Sequence, residues 1–377
     1  MISYEGLFYL VLGVSVYVIL LLSLRLISSK SEDSDVVENE SNGWHSKEEL
    51  VIVDIINETH DIKTFRFKRK NGKGFMTFLG GQFLSFQIKD DNKLLRSYSI
   101  SGSCENRSTL QVSIKKLNNG VGSGWFHSLE VRDSVFAFPP GGLFSDDTLD
   151  SDKKRIFVGG GIGITPLLSM IKTNIDRSNR IPLALFYGMN SVKDMAFHKE
   201  LQLLEDTYDN FSYFPILSNK DESWSGDTGF ISYDYITSKL SIDKNDNFYF
   251  CGPPVMTDSI TDGLIKNGHV LEHIHSEKFA SPVAFNPDNI SAVDADIIVD
   301  GKTLAYSGKD SLLEFLEASD IDIDFACRSG VCGACKCKVI EGDVDAFTDS
   351  GLTPKEKSDG YVLTCVARPK TNIKIVI

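Results

Sequence analysis

The chain opens on an unbroken apolar run: residues 7–24 read LFYLVLGVSVYVILLLSL, without a charge. A helix needs about 20 apolar residues to cross the hydrocarbon core of a bilayer, so the run predicts a transmembrane anchor within residues 1–29. No basic residue precedes it and no small-residue cleavage site follows it, which argues against a cleaved signal peptide. Glu5 lies before the run, and Arg25 and Lys30 lie after it. The positive-inside rule therefore places the rest of the chain in the cytoplasm. The pattern then turns polar. Residues 30–46, KSEDSDVVENESNGWHS, hold no apolar period and predict a flexible acidic linker.

Across residues 47–149 apolar positions come in short bursts, several of them alternating: ELVIVDII, TFRFK, QFLSFQI, LQVSIKK and SVFAF. Turn residues separate them, which predicts an antiparallel β-barrel. From 150 to 280 the period switches back and forth. RIFVGG, PLALFYG, FSYFPIL and NFYFCG read as strands; PLLSMIK, AFHKELQLLED and a stretch from about Val255 read as helices. Such alternation predicts an α/β domain with a parallel sheet. Residues 281–293 carry two prolines and few periodic positions, and read as a linker. Residues 294–377 begin with DIIVDGKTLAY, two strand-like runs about an Asp-Gly turn. A short helix (SLLEFLEA), a cysteine-rich loop and the strands KCKVI, YVLTC and NIKIVI make an α+β unit. The fold class is thus multidomain.

The net charge of −13 argues against a nucleic-acid partner, which would need a basic surface, and suits docking onto a basic protein. Five of the seven cysteines lie between Cys327 and Cys365. An odd, clustered set fits metal ligation better than a disulfide framework. Cys327, Cys332, Cys335 and Cys365 stand as C-x4-C-x2-C followed by 29 residues and a fourth Cys, the plant-type [2Fe–2S] spacing. Two irons need two thiolates each, and three of the four come from one loop if it curls tightly. Ser329, Gly330, Gly333 and Ala334 keep that loop small, so backbone N–H groups approach the sulfides. Thr353-Pro354 opens a helix that steers Cys365 back. Structural zinc sites more often use paired C-x2-C knuckles. Cys337 falls outside the spacing and reads as a packed thiol.

Two further sets of residues carry chemistry. VGGGIGITP, residues 158–166, follows an apolar strand: Gly161 and Gly163 let the backbone approach a pyrophosphate, while Thr165 is expected to cap, and Pro166 to start, the next helix. The strict G-x-G-x-x-G fingerprint is absent. CGPP, with Cys251, Gly252 and Pro253, forms a second turn at a strand end. In the barrel, RSYS supplies Arg96 for a phosphate, Ser97 beside it, Tyr98 to lie against a flavin ring and Ser99 to hydrogen-bond the ring edge. GVGSGWFH offers Gly122, Ser123 and Gly124 as backbone and hydroxyl donors to a diphosphate.

RSYS, GVGSGWFH, GGGIGITP, Tyr187-Gly188, CGPP and the Glu277–Phe279 stretch EKF occur in one order. Together they resemble the ferredoxin–NADP reductase superfamily, and the C-terminal unit resembles plant-type ferredoxins. The whole is similar to the NADH oxidoreductases of hybrid-cluster proteins, and in architecture to reductase components of Rieske oxygenases and membrane acyl desaturases. The resemblance implies FAD on the barrel (FMN in one branch), a nicotinamide on the α/β domain and a β-grasp fold for the cluster unit. It also places Ser99, Cys251 and Glu277 as catalytic side chains, with Phe279, at the flavin–nicotinamide contact. Many NADPH-using relatives carry arginines where this chain has Asn219 and Phe230, so NADH is expected.

That order of parts implies a mechanism. A nicotinamide gives two electrons as hydride, the cluster accepts one, and a flavin joins them. The expected acceptor is a hybrid-cluster protein, a Rieske oxygenase or a desaturase. A second reading is a membrane-anchored redox sensor or scaffold that holds a cluster without NADH turnover; it predicts iron without flavin. A zinc-stabilised interaction module would be colourless. The seven histidines form no ligand spacing, and His127 and His198 read as surface residues.

Overall fold

A computed structural model describes residue 44 and residues 47–89, 91–147, 153–277, 279, 292–325, 328, 330, 333–346 and 351–377. The expected anchor and nearly all of the acidic linker lie outside the described residues, as do Cys327 and Cys332. Among the described residues no helix is long and apolar enough to cross a membrane.

The first unit is built from β1 (Glu48–Asn57), β2 (Ile62–Arg69), β3 (Phe83–Ile88), β4 (Asp91–Ser99), β5 (Leu110–Lys115), helix α1 (Val121–His127) and β6 (Ser134–Ala137). The antiparallel order is β4-β3-β6-β1-β2-β5, and a bridge between Ile100 and Val112 joins the two edges into a barrel. All five runs expected as strands form strands. Alternation sends Phe65, Phe67 and Phe86 inward, where they are wholly buried. Helix α1 covers them: the Phe126 ring meets Phe86 at 5.0 Å, Tyr98 at 5.2 Å and Phe65 at 5.4 Å.

The second unit runs β7 (Arg155–Gly160), α2 (Ile164–Asp176), β8 (Leu183–Met189), α3 (His198–Thr207), β9 (Phe211–Leu217), β10 (Asp227–Thr228), α4 (Tyr233–Lys239), β11 (Asn247–Cys251), α5 (Pro254–Lys266) and β12 (Ile274–Glu277). Its six strands are parallel in the order β10-β9-β8-β7-β11-β12. The chain winds outward from β7 to β10, then returns to lay β11 on the other side of β7. Phe157, Leu185 and Tyr187 face a core with Leu167, Leu168 and Ile171 of α2; Ile156, Val158 and Phe186 face a second core with Ile260 and Leu264 of α5. Near-continuous apolar strands are what a sheet covered on both faces requires.

The barrel is keyed into this unit. Ile62 of β2 belongs to the α2-side core. Ser169 of α2 donates its hydroxyl to the Gly102 carbonyl (2.7 Å), and the Thr173 hydroxyl accepts from the Cys104 N–H (3.1 Å). A buried pair, Arg155–Asp146 at 2.7 Å, is shared with Asn174.

The third unit comprises β13 (Val293–Val299), β14 (Lys302–Gly308), α6 (Leu312–Ala318), β15 (Lys336–Glu341), β16 (Val344–Ala346), α7 (Pro354–Ser358), β17 (Tyr361–Leu363), β18 (Ala367–Pro369) and β19 (Ile373–Val376). Strand β13 begins one residue inside the stretch expected as linker. The sheet is mixed, β14-β13-β19-β15-β17, with a β16-β18 ribbon beside it. Asp300 and Gly301 make the expected hairpin turn, both at positive φ (50° and 77°). Leu312, Leu313 and Leu316 of α6 pack on Ile297, Val299, Ile373 and Ile375.

Candidate functional site

Register in the parallel sheet draws together motifs that lie far apart in sequence. Gly159 of β7 pairs with Tyr187 of β8 on one side and Cys251 of β11 on the other, and Cys251 pairs with Glu277 of β12. One row at the carboxyl ends of four strands therefore carries the GGG, YG, CGPP and EKF motifs. It straddles the β7–β11 boundary, where the winding reverses and open α/β sheets bind their ligands.

The turns after β7 and β11 interlock. A Cβ on Gly163 would stand 2.2 Å from the Cys251 carbonyl oxygen, and one on Gly252 would stand 2.9 Å from the Gly160 nitrogen. Only glycine fits at that approach. Pro253 closes the contact, its Cδ 2.6 Å from where Gly160 would carry a Cβ. Gly161 stands at φ +55° with nothing near its would-be Cβ, so its backbone faces open space.

Thr165 does not cap the helix. A 3-10 turn over Gly161–Gly163 lets α2 start at Ile164, with Gly163 as N-cap. Thr165, wholly buried in the first turn, donates its hydroxyl to the Ile162 carbonyl at 3.0 Å, and Pro166 follows it inside the helix.

Electrostatics set the row apart. Cys251 is fully buried, and burial, with the neighbouring Glu277 charge adding, pushes its thiol well above the ordinary value. It is a small neutral group here rather than a nucleophile. Glu277 has a buried Oε2 with no hydrogen-bond partner among the described residues, and burial pushes its carboxyl up to about 8. Phe279, two residues on, is exposed.

On the barrel, RSYS of β4 meets the turn leading into α1. A Cβ on Gly122 would stand 2.7 Å from Arg96 Cγ and 2.8 Å from the Tyr98 hydroxyl. Arg96 and Tyr98 are half-buried and Ser99 is buried. Ser97 shares a 2.9 Å hydrogen bond with Ser85. The Ser123 hydroxyl is used inside the loop, accepting from the Leu117 N–H (3.1 Å) and donating to the Gly120 carbonyl (3.4 Å). The Gly124 N–H likewise donates to Gly120 O (2.8 Å). β4 runs straight on into the seam with α2, and β5 lies beside the Gly161–Gly163 turn.

In the third unit Cys335 is buried and Cys365 half-buried, packed among Leu352, Leu363 and Val366. Thr364 ties the two together, donating its N–H (3.0 Å) and its hydroxyl (2.9 Å) to the Cys335 carbonyl. Gly333, at φ +74°, comes so near Gly351 O that a Cβ would stand 2.7 Å away. The expected helix after Thr353 forms, with a Thr353–Glu356 capping box. Cys337 faces the core of the unit, its thiol pushed up to about 12 by burial.

These features fit the groups that the motifs imply. The Gly161 backbone lies open at its turn, the Glu277 Oε2 has no partner among the described residues, and Thr364 holds Cys335 and Cys365 close together. Sequence reasoning missed the seam residues Ile62, Thr173 and Arg177, which lie in ordinary-looking strand and helix runs. Two histidines, read from the sequence as surface residues, are partly exposed and hydrogen-bonded. His127 is half-buried and its Nε2 bonds Ile114 O at 2.9 Å, while His198 meets the Tyr213 hydroxyl at 3.1 Å. His60, Asp61 and Asp194 bring ligand-type atoms within 4.8 Å of one another, but Lys115 Nζ stands 3.3 Å from Asp61.

The chain matches the oxidoreductase FAD-binding domain over residues 49–145, the oxidoreductase NAD-binding domain over 157–262 and the 2Fe–2S iron–sulfur cluster binding domain over 297–370. It is 28% identical over 357 residues to the glycine betaine monooxygenase reductase subunit of Chromohalobacter salexigens, covering 89% of this chain and 96% of that one. To the carnitine monooxygenase reductase subunit of Acinetobacter pittii it is 30% identical over 312 residues, 82% of this chain and 95% of the relative. Phthalate dioxygenase reductase shares the fold over 90% of this chain and 98% of its own (TM-score 0.59, 24% identity). An intact type IV self-sufficient cytochrome P450 monooxygenase shares it over 88% (TM-score 0.68, 23% identity), the chain spanning 40% of that longer protein.

Proposed function

Because this chain belongs to the ferredoxin–NADP reductase superfamily, in the branch that ends in a [2Fe–2S] ferredoxin domain, we propose that it is the reductase component of a Rieske-type oxygenase. It is an oxidoreductase that takes electrons from a nicotinamide dinucleotide, passes them through FAD and hands them on from [2Fe–2S]. Reductase subunits of glycine betaine and carnitine monooxygenases resemble it along nearly their whole length, which supports an oxygenase component as acceptor. A bound flavin takes two electrons at once and releases them singly, so it joins a two-electron donor to a one-electron cluster.

The observation that carries the reading is the row Tyr187–Gly159–Cys251–Glu277 at the reversal of the sheet. The interlocked Gly163 and Gly252 turns bring bare backbone against a dinucleotide. Arg96 supplies a cation for a phosphate, and Tyr98 and Ser99 line the flavin side. Below about pH 8 Glu277 holds its proton at the site, so its carboxyl offers a hydrogen bond rather than a charge. Cys251 stays protonated and small, leaving room for a ring. Cys327, Cys332, Cys335 and Cys365 hold the cluster.

NADH is the preferred donor. Asn219 and Phe230, both exposed beyond the outer strands, provide no cation for a 2′-phosphate. The apolar run at 7–24 tethers the reductase to a membrane, so the full chain sediments with membranes and a chain lacking residues 1–29 does not. The test of function is a visible spectrum before and after anaerobic NADH. Flavin and cluster bands should both bleach, and NADPH should act more slowly. A protein with iron that stays unbleached would instead support the redox-sensor reading.

A further inference from the structure

The edge strand β12 carries a line of titratable side chains that ends at the site. His275 and Glu277 stand at alternate positions and so share one face of the sheet, and His273, just before the strand, joins them. Each meets a counterpart on β11. His273 Nδ1 donates to Asn247 Oδ1 at 3.1 Å, the His275 ring stacks on Tyr249 with centroids 4.9 Å apart, and Glu277 pairs with Cys251. Tyr249 and Cys251 belong to the core on the α2 side, which fixes the face. Successive same-face positions of a strand lie about 6.5 Å apart, a gap that one bridging water spans.

The line grades from wet to dry. The His273 side chain is 26% exposed, with Nε2 3.8 Å from the carboxylate of the exposed Glu272. His275 Nε2 and Glu277 Oε2 are both buried, and neither has a hydrogen-bond partner among the described residues. The Tyr249 hydroxyl is buried and unpartnered as well. Native interiors rarely leave three neighbouring polar groups orphaned, and such groups mark a catalytic role or bound water. The titratable and charged groups about His275 are His273 and Glu277 along its own strand, Tyr249 on β11 and, beyond Tyr249, the Asp146–Arg155 pair. Burial lowers the proton affinity of His275 and raises that of Glu277, to about 8 for the carboxyl. At neutral pH a neutral imidazole therefore stands two residues from a protonated carboxyl, one group to take a proton and one to give it.

We propose that His275 and His273 form a proton path between Glu277 and solvent, running down β12 from the site to the amino end of the sheet. The inference rests on the proposed function, which puts the flavin at the Glu277 end of the strand. The chemistry calls for such a path. NADH gives up a hydride, whereas the acceptors take electrons alone, so each NADH oxidised by two one-electron acceptors releases one proton at the site. Glu277 passes that proton on, His275 accepts at Nε2, and His273 delivers it to water beside Glu272. Only O–H and N–H bonds form and break along the path.

The first test needs no turnover. In the full holoprotein with isotope-labelled histidine, the His275 ring resonance is assigned by its loss in His275→Phe. It should shift as Glu277 ionises near pH 8, and that step should vanish in Glu277→Gln. A His275 signal blind to Glu277 would overturn the proposal. The second test supplies NADH with excess ferricyanide, which collects two electrons and leaves one proton per NADH. His275→Phe keeps a ring against Tyr249 but carries no proton. Its turnover should fall about a hundredfold, the low end of what a positioned proton carrier contributes, with a larger solvent deuterium isotope effect than wild type. Flavin bleaching by NADH without an acceptor, a step that releases no proton, should slow far less. Wild-type turnover in His275→Phe, at equal flavin content, would reject the path and point to proton release straight from the mouth of the site. If His275→Phe fails to fold, His273→Ala decides: slowed turnover that added imidazole restores supports the path, and turnover that stays at wild-type level, or that imidazole does not restore, rejects it. Wild-type protein that binds no flavin would refute the functional reading instead, a result the His275–Glu277 titration keeps separate.

Discussion

Glu277 ends β12 with an oxygen buried and unpartnered, and its carboxyl ionises near 8 instead of 4.5. Between those values the folded protein holds a proton that the unfolded chain has released. The stability this provides is complete below about 4.5 and disappears as the pH rises through about 8. Glu277→Gln should flatten that slope. Thermal melts across the window should show wild type losing a few degrees more than the variant, and parallel curves would reject the burial argument. Gly163 makes a sharper case, because a Cβ there would drive into the Cys251 carbonyl. Gly163→Ala should cost about 1–3 kcal/mol through overpacking and spread the β7 and β11 turns. NADH-driven dye reduction should drop more than tenfold while flavin and iron contents hold. Both motifs were legible as motifs; that their atoms touch was not.

Among the elements, those with several periods of pattern formed where expected, since alternation over six or more residues leaves little choice of face. The short ones did not announce themselves. Helix α1 contains two glycines in seven residues, yet Phe126 packs on the rings of Phe65, Phe86 and Tyr98 in the barrel, and packing outweighs propensity. Strands β10 and β12 have two and four residues, and each owes its conformation to a single neighbour in the sheet. Helix α6 packs three leucines into the core of the third unit, and its capping box can be tested directly. Ser311→Ala should cost about 1 kcal/mol. In a unit of this size that lowers the unfolding midpoint by about 4–8 °C, read from loss of the cluster chromophore on heating. An unchanged midpoint would mean that tertiary contacts alone hold the helix.

For the whole molecule, the barrel and the α/β unit share one seam. Arg177 joins it by pairing with Glu105 at 2.6 Å and with Asp147. Its pairs are partly exposed, so their loss should cost at most about 1 kcal/mol. The buried Asp146–Arg155–Asn174 group is another matter, since removing one partner strands a charge. We predict that residues 47–280 form a functional piece: it should keep flavin, reduce ferricyanide with NADH at the rate of the full chain, and lose transfer to one-electron protein acceptors such as cytochrome c. A piece that loses flavin would show that the cluster unit supports the barrel.

Spacing and periodicity act within short stretches, and the sequence alone therefore determined the three units, most of their strands, the presence of a 2Fe–2S domain and the order of the nucleotide motifs. Tertiary structure decided what depends on residues far apart: the row of Tyr187, Gly159, Cys251 and Glu277, the seam through Ile62 and α2, the helix at α1 and the pairing of Arg328 with Glu317. Burial raises the Glu277 carboxyl, and burial is a property of the surrounding fold, not of the residues on either side in the chain.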